Sequence, residues 1–239
     1  MFKITEINNE VKLYNNYTGY NVPYIENIIY GDFPNCEAQV KTTDMRLEKY
    51  IIYISNAMND YKIEFQKSVL WHEFTHINDY IKFKVDFPNC IDEILKTFSE
   101  SNAESIKIRY LLHIPFNKII GSERRILLDK DKEKSLDVIA SFYIEHSIKI
   151  FKEFTSDKDP CTFNLGMSCF CYACGYFSLL KEPIKSKLCS HMISEHPEIY
   201  RQDLFSLYNA IQSTDVNRCG TIYKKMKLDA MKVSIDINL

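Results

Sequence analysis

The sequence predicts an α+β fold, with a small mixed α/β lobe over residues 1–84 and a mostly helical lobe over 85–239. Three observations predict it. Residues 37–43 and 50–55 carry the β-branched and aromatic residues of strands. From about residue 63 the apolar spacing changes to a helical period and keeps it nearly to the end, interrupted mainly at prolines. The chain also has 239 residues, 46% of them hydrophobic, which suffices for one domain or for two lobes sharing a cleft.

The elements follow in order. The first third reads as strand-rich, with 56–59 as a polar break. A long helix is expected over 63–84, where Pro88 stops the chain and Asn89 can cap the next helix, over 90–112. A charged loop over 121–133 follows. Helices are then expected near 134–155, 162–182, 197–213 and 215–230. The pentapeptide Asp-Phe-Pro-Asn-Cys occurs at 32–36 and again at 86–90, which turn-and-cap use of Pro and Asn explains.

Composition excludes several classes. A formal net charge of -2 gives no overall field toward nucleic acid or anionic lipid, and Arg124-Arg125 and Lys224-Lys225 read as solvated clusters. Six glycines, none in a Gly-rich loop opening a helix, leave phosphate and dinucleotide sites without their basic part. The N-terminus resembles neither a signal nor a transit peptide, and no segment has the ~18 apolar residues of a membrane span. The expectation is a cytoplasmic protein whose eight cysteines are reduced thiols.

The residues that carry chemistry are Val69-Leu70-Trp71-His72-Glu73-Phe74-Thr75-His76-Ile77. Histidines four apart on a helix stand one turn apart on the same side, so His72 and His76 can bind one zinc ion. Glu73 then lies beside the metal, placed to act as the catalytic base. Composition alone would produce this spacing in roughly one such chain in a hundred. A helical wheel puts Phe65, Val69, His72, His76, Asp79 and Phe83 on one stripe and Leu70, Phe74, Ile77 and Ile81 on the other. A helix apolar on both sides is buried between two layers, so the histidines should face an interior or a cleft.

These residues resemble the active-site helix of the zincin metallopeptidases, with His72 and His76 matching the ligands and Glu73 the base. Asp79 and Lys82 stand where metzincins carry Gly and His, which removes that group. Ser99-Glu100-Ser101-Asn102-Ala103-Glu104 is similar to the second-helix segment of gluzincins. The resemblance implies Glu100 as third ligand, with Glu104 as an acid orienting a ligand histidine or as the ligand in its place. Asp79 is a further candidate beside the histidines. Yet Glu93, Lys96, Glu100, Glu104 and Lys107 also share one stripe at the spacing of a solvated, salt-bridged face. The match covers about 36 residues, 69–104, and is nearest to small intracellular bacterial and phage peptidases of the ImmA/IrrE type. Asn78 departs from it, being polar where such helices keep an apolar residue.

The resemblance implies a zincin-like fold, one Zn2+ per chain, and peptide-bond hydrolysis by Glu-assisted attack of a water activated by that metal. It implies a protein or peptide substrate, while the charge balance and the lack of an apolar span lead to the expectation of no nucleic-acid or membrane partner. In such enzymes a strand placed like 50–55 is an exposed edge on which substrate adds, although an ordinary buried strand reads the same way. The alternative function is a zincin-fold regulatory protein that binds without turnover. Cys169, Cys171 and Cys174 invite a second-metal reading, with Cys161, Cys189 and His191 as further ligands, but their apolar helical setting favours core packing. An oxyanion-stabilising group is open among His113, His146, His191, His196, Tyr143, Tyr172 and Tyr176.

Overall fold

The computed structural model describes residues 1–33, 37–44, 49–116, 118, 124–129 and 132–235. The chain begins with a helix that the strand-rich reading of the first third lacks, α1 (Ile4–Thr18). Ile7, Val11 and Tyr14 recur at helical spacing and are buried. The Lys3 N–H donates to the Glu6 carboxylate at 2.6 Å, satisfying one free amide of the first turn. The helix ends where Gly19 takes φ +75 and its N–H returns to the Asn15 carbonyl at 2.8 Å. Polar residues hid α1 in the sequence, but two of them are used. Asn8 brackets the backbone N–H and C=O of Ile25, and Asn15 does the same for Val22, tying the helix to the next strand.

That strand is β1 (Ile25–Gly31), also absent from the sequence reading; β2 (Ala38–Asp44) and β3 (Lys49–Ser55) follow. The sheet order is β1-β3-β2, with β1 parallel and β2 antiparallel to β3. The edge-strand expectation for 50–55 is therefore corrected. β1 covers one side of β3 and β2 the other, and Tyr50, Ile52 and Ile54 are buried. The edge strands of the sheet are β1 and β2. The first copy of the pentapeptide, 32–36, lies partly outside the described residues; the second makes a turn closed by the Cys90 N–H on the Phe87 carbonyl.

Helix α2 (Ile63–Phe83) is buried on both faces, as the wheel requires. Leu70, Trp71, Phe74 and Ile77 join Ile7, Val11 and Tyr14 in one core with the sheet. Tyr14 Oη and Thr75 Oγ1 lie 3.0 Å apart, and the Trp71 indole N–H donates to Glu10 at 3.3 Å. After the turn at Pro88 one helical run is built of α3 (Ile91–Ile94), a π-turn (Leu95–Ser99) and α4 (Glu100–Leu111). The π-turn holds an extra residue and rephases the faces that follow it.

Residues 121–133 read as a loop; 121–123 and 130–131 lie outside the described residues, and the remainder contributes to a hairpin of β4 (Arg125–Asp129) and β5 (Lys132–Ser135). Helices α5 (Leu136–Asp157), α6 (Pro160–Phe177), α8 (Glu198–Gln212) and α9 (Val216–Ile235) fall near their expected positions. α7 (Ile184–Glu195) occupies the interval left between Pro183 and Pro197. These helices close over a second core containing Phe151, Phe170, Tyr176 and Phe177, together with Cys171, Cys174 and Cys219. Helix α4 sits between the two cores, giving Ile106 to the first and Ile108 to the second. No helix of the described residues is long and apolar enough to cross a membrane.

One glycine sets how closely α6 approaches α4. A Cβ at Gly175 would meet the Ser101 carbonyl oxygen at 2.6 Å and the Glu104 Cβ at 3.2 Å. Backbone cannot yield as a flexible side chain would. Gly175→Ala is expected to destabilise the fold by about 1–3 kcal/mol, read as a lower urea midpoint. An unchanged midpoint would show that α6 can shift at no cost.

Candidate metal centre

Helix α2 places His72 and His76 one turn apart, with their Nε2 atoms 3.1 Å from each other. Helix α4 brings Glu100 Oε2 to 3.5 Å from His72 Nε2 and 3.7 Å from His76 Nε2. Three atoms bound tetrahedrally to one ion at about 2.0–2.1 Å would stand about 3.3 Å apart, so this triangle has the right size for zinc. Glu100 Oε2 is also buried without a hydrogen-bond partner. The residues present fit the metal.

A carboxylate oxygen of Glu73 lies within 4.8 Å of the same histidines, so His72, Glu73 and His76 also form a group able to hold an ion. Of the two carboxylates, Glu100 faces both Nε2 atoms, whereas Glu73 Oε2 is committed to the backbone N–H of Val40 at 3.0 Å.

The other nitrogen of His76 is hydrogen-bonded, whereas that of His72 is buried against a carboxylate without a hydrogen bond. His76 Nδ1 lies 2.8 Å from Ser99 Oγ, and Ser99 in turn hydrogen-bonds Asp79. Asp79 is buried and also accepts from Asn102 at 3.1 Å and from Asn78 at 3.2 Å. Asn78 is thereby polar for a reason. His72 Nδ1 faces Glu104 Oε2 at 3.5 Å, and the same oxygen lies 3.3 Å from Lys107 Nζ. The stripe of α4 is therefore not a solvated face at this end, since Glu104 is 1% and Lys107 8% exposed.

Sequence reasoning named Asp79 and Glu104 but missed Ser99, Asn102 and the backbone of Val40 as partners. No sequence signal marks the π-turn that ends at Ser99. Holding the Nδ1 side of a ligand imidazole fixes its ring and tautomer. Ser99→Ala is expected to weaken zinc binding about 10-fold, read by competition with a chromophoric chelator. Parent affinity in this variant would show that the hydroxyl does not orient His76.

The electrostatics favour a cation. Burial lowers the His72 pKa, but Glu100 and Glu104 outweigh it and push the imidazole up to about 10. Burial brings His76 down to about 4, which keeps its imidazole neutral. Burial opposes ionisation of Glu104 as well, yet Lys107 and His72 hold its pKa at about 2. Burial raises Glu73 to about 7, moderated by the charge of His72 and the Val40 amide. A carboxylate near neutrality is suited to taking and returning a proton.

The cluster lies in a cleft of about 1190 Å³ between β2, α2, α4, α5 and α6. Met58, Tyr61, Phe65 and Val69 make one wall apolar. Of the groups considered for an oxyanion, Tyr143 and Tyr172 line this cleft, with the Tyr172 ring 6.1 Å from that of His72. His196 is instead a core residue, within 3.0 Å of Ser147 Oγ. His191 pairs with exposed Glu145 at 2.7 Å. The seven described cysteines are free, and Cys169, Cys171 and Cys174 are buried.

Comparison with protein-family models, curated proteins and solved structures finds no match for this chain. Fold and site define an α+β protein that brings histidines and carboxylates able to hold a metal ion into one open cleft.

Proposed function

We propose that this chain is a zinc-dependent metallopeptidase with a zincin-like active-site helix. His72, His76 and Glu100 hold one Zn2+ and Glu73 is the catalytic base. The observation that carries the reading is the triangle of His72 Nε2, His76 Nε2 and Glu100 Oε2, at 3.1, 3.5 and 3.7 Å, in an open cleft with a buried carboxylate beside it.

When bound, zinc supplies the Lewis acid that polarises the scissile carbonyl and acidifies the attacking water. The chain's residues do the rest. Glu73 accepts a proton as the water oxygen bonds to the carbonyl carbon, then delivers it to the amine as the C–N bond breaks. Tyr172 keeps its own proton because Glu100 and burial raise its pKa well above the usual value, so its hydroxyl is a donor available to an oxyanion. The reading places the protein in the cytoplasm, where thiols such as Cys171 and Cys174 stay reduced.

The test is metal content by mass spectrometry on protein purified without added metal or a His tag, joined to hydrolysis of fluorescent casein. One zinc per chain and hydrolysis stopped by 1,10-phenanthroline are expected. Stoichiometric zinc without cleavage of casein or of candidate partner proteins would favour binding without turnover. No zinc, even when offered, would overturn the proposal.

A further inference from the structure

The base is held by backbone. In the β2–β3 pair, the Glu37 carbonyl accepts from the Ser55 N–H at 2.9 Å, and the register continues through Ala38↔Ile54, Gln39↔Tyr53 and Val40↔Ile52. Main-chain groups on an antiparallel strand alternate in direction. Glu37 and Gln39 therefore face β3, and the amide of Val40 faces away from it. On a free edge such an amide would ordinarily meet water. Here it donates to Glu73 Oε2 at 3.0 Å.

We propose that the Val40 main-chain amide is a positioning group for Glu73, fixing one carboxylate oxygen on the sheet edge and so holding the carboxyl group beside the histidine pair. The proposal rests on the peptidase reading for its consequence, but the contact stands on the geometry alone. Glu73 is only 7% exposed, so little water is available to orient it. A glutamate has three side-chain torsions, and a base must be held within hydrogen-bond reach of the proton it takes. The acceptor is a carboxyl oxygen and the donor belongs to a strand held by its ladder, so the contact has ordinary hydrogen-bond length and a fixed direction. The arrangement also gives β2 two roles. Its outward amide at position 40 is spent on the base, so an extended peptide laid along this edge would find that donor occupied.

The first test needs neither metal nor substrate. Amide exchange at Val40 is measured by NMR in the parent and in Glu73→Ala. The amide is expected to exchange at least 10-fold more slowly in the parent; equal rates would overturn the proposal. The second test compares Val40→Pro with Val40→Ala. Proline removes the N–H and is tolerated on an edge strand where that N–H points away from the ladder. With both variants folded by circular dichroism and carrying parent zinc content, kcat on fluorescent casein should be at least 10-fold lower in Val40→Pro than in Val40→Ala, with KM within about 2-fold. Equal kcat values in the two variants would overturn the positioning role. A parent without zinc would instead sink the peptidase reading, and the exchange result would still decide the contact.

Discussion

Replacing His72 with alanine should strip zinc from the protein. Four-ligand zinc sites in small domains bind with roughly 10–16 kcal/mol, so each ligand accounts for about 3 kcal/mol or more, a loss in affinity of about 100-fold or greater. His72 also faces both Glu100 and Glu104, at 3.5 Å each, so its loss leaves two buried carboxylates repelling each other. Glu100→Gln should lose a comparable amount, because an amide oxygen is a weaker ligand and brings no charge. Glu104→Gln should lose less, about 10-fold, since it acts on the metal only through the Nδ1 side of His72. Chelator competition on the three variants measures this ranking. A greater loss in Glu104→Gln than in Glu100→Gln would exchange their roles, and parent affinity in His72→Ala would remove the site altogether.

The two halves of the chain were unequally legible. On α2 the motif and the burial wheel make one statement, because a long helix carries its register with it and both apolar stripes are filled by close packing. Glu100 and Glu104 are also adjacent turns of one helix, and their spacing carries the same kind of information. What joins the helices is different. The 2.8 Å contact of Ser99 with His76 depends on a π-turn, an irregularity no periodic pattern announces. The Val40 amide is invisible in principle, since every non-proline residue has one and only sheet register decides which way it points.

The fold shows the same division. α1 has a polar composition because Asn8 and Asn15 serve the backbone of the following segment, and tertiary use overrode the local hydropathy signal. With α1 and β1 unread, nothing in the sequence gives the strand 50–55 a second neighbour, so edge and central positions read alike. α7 was hidden by its short length between two prolines. In each case the missing information is a partner distant in sequence, and not a residue preference.

Glu73→Gln separates metal binding from turnover. The amide keeps the shape of the side chain, and its carbonyl oxygen can still accept from the Val40 N–H. It also removes an acid that burial holds near 7, so folding should lose nothing and the melting temperature should equal or exceed the parent's. Zinc should remain at one per chain, because Glu73 Oε2 is engaged by the sheet edge and Glu100 completes the triangle. What disappears is proton transfer. General base catalysis is worth about 100- to 10,000-fold, so kcat should fall by that factor with KM little changed. Loss of zinc along with activity would make Glu73 a ligand, in keeping with its position within 4.8 Å of both histidines, and would move the base elsewhere. Hydrolysis at the parent rate with zinc in place would mean that no proton passes through this carboxylate, leaving the buried charge of Glu73 to act on the cleft only through its field.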